Sequence, residues 1–130
     1  MSTSVVTKST PVLVVDSVAP CVKFWESLGF ACTAEVPHGN TIGFAILSDG
    51  HVEVMYQSMA SVVEDDANIA KILRTGGSSL FVEVRDLAAA VKAVAGAKVI
   101  LAERTTFYGM REVGVLDPGG NLVMFAQKVG

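Results

Sequence analysis

The 130-residue sequence predicts an α+β fold of two tandem βαβββ modules, and three observations predict it. The order strand, helix, three strands is spelled twice along the chain, with a period of roughly 70 residues. Each unit carries one amphipathic helix and several strands joined by tight turns, an order that excludes a doubly wound parallel sheet. Apolar residues make up 51% of the chain, enough for a real core at this length.

Pro11 to Val15 (PVLVV) is a short, largely β-branched run and reads as a buried strand. Asp16 and Ser17 follow as N-cap candidates, and Pro20 falls in the first helical turn, where its missing N–H costs little. Val18, Cys21, Val22, Trp25 and Leu28 recur at three- and four-residue spacing and give one apolar helical face; Gly29 ends the helix. Phe30 to Val36, Thr41 to Leu47 and His51 to Gln57 are strands, separated by a turn at His38-Gly39-Asn40 and the hairpin signal Asp49-Gly50. In the last of these, His51, Glu53, Met55 and Gln57 share one face, and Val52, Val54 and Tyr56 the other. Ser58 to Gly77 is expected to be a linker with a short helix around Ala67 to Leu73, closed by Gly76-Gly77. Its acidic run, Glu64-Asp65-Asp66, reads as a solvated helix start.

The order then begins again. Ser79 to Val84 is a strand, and Asp86 caps a helix with Leu87, Ala90, Val91 and Val94 on one face, stopped by Gly96. Val99 to Ala102 and Arg111 to Leu116 are strands, Asp117-Pro118-Gly119-Gly120-Asn121 is a tight turn, and Leu122 to Gln127 is the last strand. The chain therefore divides into a polar, flexible lead-in (1–10), a first module (11–57), a linker (58–77) and a second module (78–130), in one structural domain.

A net charge of −3, with no basic stripe, excludes a nucleic-acid binder on electrostatic grounds. No apolar run approaches bilayer-spanning length, and Met1 to Lys8 lacks the apolar stretch of a secretory signal. Cys21 and Cys32 have no CxxC spacing and read as reduced thiols, which points to the cytoplasm. Nucleophile elbows, phosphate loops and HExxH strings are absent from the sequence.

Several strings together resemble the glyoxalase/bleomycin resistance protein/dioxygenase (vicinal oxygen chelate) superfamily, most closely its bleomycin-resistance-type binding proteins. PVLVVDS…FWESLGF is similar to the family's opening, HVEVMYQ to the strand closing the first module, SLFVEVRDL to the opening of the second, and YGMREVGVLDPGGNLVMFAQ to its end. The resemblance implies sheets curved into a cupped half-barrel cavity with the helices outside, completed by a homodimer. Trp25 and Phe24 are then expected to pack between helix and sheet.

The resemblance also implies four metal-ligand positions, on the first and last strand of each module. They fall here on Thr10, Glu53, Ser79 and Met124. Hydroxyls and a thioether are poor ligands for a hard divalent cation, so only Glu53 is competent, and no metal or other cofactor is expected. His51 shares a strand face with Glu53, and an unusual metal site would be completed either by it or by a residue of a partner subunit.

A carboxylate in an apolar pocket seeks a cationic partner. Glu53, helped by Glu83 on the same wall as Ser79 and Phe81, is therefore expected to favour a ligand with a basic group. Met55, Phe81, Met124 and Ala126 on inward-facing strand positions, with Phe107, Tyr108 and Met110 before Arg111, complete the expected lining. Arg111, followed by Glu112, either anchors an anionic ligand or pairs with a neighbour. The expected function is metal-free capture of an aromatic or basic small molecule, such as an antibiotic or metabolite. The alternatives are a metal-dependent lyase, isomerase, dioxygenase or thiol transferase carrying a divalent ion, and an interaction module with a filled cavity.

Overall fold

Alternation along the strands decides which way each sheet faces. In the computed structural model, which describes residues 4–129, the order is β1 (Val12–Val15), α1 (Ala19–Glu26), β2 (Ala31–His38), β3 (Thr41–Ser48), β4 (Glu53–Ser58), α2 (Met59–Asp65), α3 (Ala67–Ala70), β5 (Ser79–Glu83), α4 (Leu87–Ala93), β6 (Val99–Thr105), β7 (Met110–Leu116) and β8 (Leu122–Lys128). Residues 1–3 of the expected lead-in, and residue 130, lie outside the described residues. The strands form two four-stranded sheets of identical layout, β1-β4-β3-β2 and β5-β8-β7-β6, each with one parallel pair at the edge. Two tandem βαβββ modules are thus present, and neither sheet closes on itself.

In β4, Val54, Tyr56 and Ser58 are buried, whereas Glu53, Met55 and Gln57 are only half-buried. Leu13 and Val15 of β1 stand opposite Tyr56 and Ser58, so they share the buried side. Cys21, Val22, Phe24 and Trp25 of α1 pack there, as expected for Phe24 and Trp25. The second sheet buries Val113, Val115, Val123 and Phe125 with Leu87 and Ala90 of α4 and with Val94. All of these side chains belong to one cluster. Each large side chain in it contributes about 1.5–3 kcal/mol on burial, so the helix-bearing faces hold the modules together and leave the other face of each sheet open.

A buried polar chain crosses the joint. Trp25 Nε1 donates to the Tyr56 hydroxyl (2.8 Å), which donates to Asp117 Oδ2 in the β7–β8 turn (2.6 Å). Asp117 Oδ1 accepts from the backbone N–H groups of Gly119 (2.9 Å) and Asn121 (2.8 Å). Burial, seconded by the charge of Asp117, pushes the Tyr56 hydroxyl far above its ordinary range and the Cys21 thiol up to about 12. Gly119 sits so close beneath β1 that a Cβ on it would lie 2.2 Å from Val15 Cγ1.

Four local expectations are corrected. Neither Asp16 nor Ser17 caps α1: the N-cap is Val18, already helical (φ −79°, ψ −38°) and without a side-chain cap bond. Its side chain is buried in the core, which sets where the chain turns into the helix. The linker holds two helices, α2 as well as α3, and α2 starts where the Ser58 side chain accepts from Ser61 N–H. The acidic run is the joint between them: Glu64 and Asp65 end α2, and Asp66 caps α3 through the N–H groups of Asn68 and Ile69. Asp86 does cap α4, accepting from Ala89 N–H at 3.0 Å. β6 runs on to Thr105, beyond Ala102, because Arg104 and Thr105 pair with Glu112 and Arg111 of β7.

Candidate functional site

The open faces follow from register. On the first sheet, Val12 stands opposite Met55, Met55 opposite Ile46, and Val14 opposite Gln57 with Phe44 beyond. All are apolar except Gln57, and Val12 keeps 46% of its surface exposed.

On the second sheet two rows can be read strand by strand. One runs Phe81–Met124–Gly114–Leu101, the other Glu83–Ala126–Glu112–Arg104. Met124 covers Gly114 closely: a Cβ there would lie 2.8 Å from its Sδ. Ala126 is fully buried, and Phe81 is 54% exposed beside it.

Glu112, which sequence reasoning did not assign to the site, is the one charged side chain of this row inside the fold, 1% exposed. Burying a carboxylate is tolerated only when its charge and lone pairs are answered. Arg104 answers Oε1 with Nε (3.0 Å) and Nη2 (2.8 Å), and the Tyr108 hydroxyl donates to Oε2 (3.1 Å). A signal existed: Glu112 shares the parity of Met110 and Gly114, opposite to that of Val113 and Val115. The gap was its partner, since Arg104 lies on a stretch of β6 that the sequence did not mark as strand.

The remaining predicted residues are distributed, not gathered. Glu53 and Glu83, with Phe81, border a cleft of about 660 Å³ between β5 on one side and the segment before β1 with the start of β4 on the other, where Lys8, Thr10, His51 and Arg85 also lie. Glu53 has found its cation within the chain, Lys8 Nζ at 2.8 Å. Met110 is buried on the open face of β7, in register with Lys128, and Met55 lies on the other sheet. Phe107 is fully exposed at the β6–β7 hairpin tip, edge-on to Tyr108 with ring centroids 5.1 Å apart. Arg111 points to the opposite side of β7 from Glu112 and pairs with Glu103 at 2.8 Å. A second cleft, of about 570 Å³ between α1 and the loop after α4, lies away from both open faces.

The donor set does not fit a metal ion. Thr10 and Ser79 offer hydroxyls, Met124 a thioether, and the Glu53 carboxylate is held by an ammonium group. Ser79 is opposite Leu122, two residues before the Phe81–Met124 pair. Among the described residues no three His, Cys, Asp or Glu side chains gather into a metal-holding group.

Paired βαβββ modules packed on one core, each with a partly apolar sheet face turned away from it, define the fold class of this protein. The family model of the Glyoxalase/Bleomycin resistance protein/Dioxygenase superfamily matches residues 8–125, and the chain belongs to that superfamily. It is similar to a protein from the mobile metagenome of V. Pseudocholerae, at 23% identity and a TM-score of 0.72 over 100% of both chains. A virulence protein from Salmonella typhimurium superposes with a TM-score of 0.68 at 22% identity, covering 97% of this chain and 99% of that one. A bleomycin-binding protein complexed with bleomycin does so at 0.64 and 17% identity, covering 95% and 99%. At these identities the likeness bears on the fold alone. Comparison with the curated proteins finds no match.

Proposed function

We propose that this protein captures a small organic compound, aromatic or carrying a basic group, on its open sheet faces, without a metal ion and as a homodimer whose second chain completes the cavities. The observation that carries this reading is the contrast between the two sides of each sheet. The helical side is closed, whereas the other side presents half-buried or exposed Val12, Met55, Phe81 and Met124. Adaptable thioether and aromatic side chains on a concave surface suit flat or irregular ligands. Exposed apolar surface of this kind is normally covered by a ligand or a partner. The structural neighbour that holds bleomycin supports capture of an organic ligand, and an antibiotic or a metabolite of comparable chemistry is in range, with sequestration as the outcome. The two free cysteines suit a reducing compartment, the cytoplasm.

The test combines ligand and metal. Titration with bleomycin and with aromatic amines, followed by amide chemical shifts, is expected to move Met55, Phe81 and Met124 and to leave the helical faces still. After soaking with nickel, zinc, manganese or ferrous iron, the protein is expected to retain less than about a tenth of an equivalent of metal. About one equivalent per chain, lost on Glu53→Ala, would overturn the metal-free reading.

A further inference from the structure

The row Glu83–Ala126–Glu112–Arg104 crosses the whole open face of the second sheet, one residue from each strand. Its charges are not equivalent. Glu112 is buried and spent on Arg104 and Tyr108, so it presents no charge to a ligand. Arg104 is anchored by that carboxylate through Nε and Nη2, and 54% of its side chain stays exposed. Its Nη1 edge is left for an acceptor, and a guanidinium held from behind by a buried carboxylate is already oriented. Glu83, at the other end, is exposed and has no ion pair or hydrogen bond among the described residues. Between them Ala126 and Glu112 are covered by the protein itself, and the apolar surface left to a ligand is that of Phe81 and Met124 on the adjoining row. Lys128, one row further out, is opposite Met110 at the rim.

Strands lie about 4.8 Å apart, so the end residues are roughly 14 Å apart at the backbone. From this arrangement we infer that the second sheet binds an elongated dipolar compound. Its basic end lies at Glu83, its carboxylate or other oxyanion at Arg104, and its flat apolar body over Phe81 and Met124. The inference rests on the capture function proposed above and names its ligand class. Glu112 and Tyr108 are positioning residues, acting through Arg104.

The probes are four rigid biphenyls: one with an aminomethyl group at one end and a carboxylate at the other, the two singly charged analogues, and a neutral alcohol. Calorimetry on the intact protein is expected to show the dipolar compound binding at least about tenfold more tightly than either singly charged one. Glu83→Gln is expected to remove the advantage of the amine and leave that of the carboxylate. The double variant Arg104→Gln/Glu112→Gln, which leaves no buried charge, is expected to do the reverse. In the unsubstituted protein the carboxylates are expected to shift the Arg104 Nε–Hε resonance. If the double variant does not fold, Glu83→Gln and that resonance decide. Equal affinity for all four compounds, or an advantage indifferent to the substitutions, would overturn the dipolar ligand while leaving capture standing. Failure of every biphenyl to bind at millimolar concentration would sink both.

Discussion

The β3–β4 and β7–β8 turns occupy the same place in the two modules, yet one faces water and the other is built into the joint. Asp49-Gly50 is exposed, and its carboxylate does no more than close its own turn, accepting from the N–H groups of His51 and Val52. Asp117 and Asn121 are buried, and Asp117 reaches across to Tyr56 of the other module. The repeat is therefore symmetric in strand order and asymmetric in how its turns are used. Duplication supplies two equal sheets, and packing them on one core gives equivalent residues different work.

That contrast can be broken by substitution. Gly119→Ala is expected to cost about 3 kcal/mol or more in urea unfolding, because backbone and Val15 must move to admit the methyl group. Gly50→Ala meets no neighbour and carries only the strain of φ +97°, about 1 kcal/mol.

Tyr56→Phe comes next, at about 2 kcal/mol, since it strips a hydrogen bond from a buried carboxylate and orphans the Trp25 N–H. It also has a pH signature. Tyr56 and Cys21 hold their protons more tightly folded than unfolded, so stability is fully present below their ordinary values of 10.0 and 9.0 and falls as pH rises beyond them. Chemical unfolding between pH 8 and about 12 should show that decline. Tyr56→Phe should flatten it, leaving the part due to Cys21.

The smallest expected effect sharpens the comparison inside the second module, where two Arg–Glu pairs link β6 and β7 on opposite sides of the sheet. Arg104→Met strands the buried Glu112 and is expected to cost about 2 kcal/mol, less than a fully enclosed pair because Arg104 is half in water. Arg111→Met removes an exposed partner of exposed Glu103, and thermal melts should register less than about 1 kcal/mol.

The strand–helix–three-strand order, the Asp86 cap and the packing of Trp25 were legible because hydrophobic period, capping chemistry and turn residues are local signals. The helix over Met59–Asp65 was not, since Val62 is its one buried residue and a single apolar contact makes no periodicity. Of the candidate site, strand parity put Phe81 and Met124 on one face, the side of the sheet on which they lie, whereas Met110 was read as loop and in fact opens β7; Arg111 was counted toward the site and Glu112 was not. Parity alone cannot say which side of β7 meets the helices, and Met110, Val113 and Val115 are apolar on both sides.

The sequence by itself determined that this chain is a tandem βαβββ protein, and its local strings carried the resemblance to its superfamily. Those are properties of residue type and spacing along one strand at a time. Only the tertiary structure decided that Glu53 is tied to Lys8, that Asp117 locks the two modules, and that Arg104, Glu112 and Glu83 share one row. Each of those depends on register between strands distant in sequence, and register is set by packing both sheets on a common core.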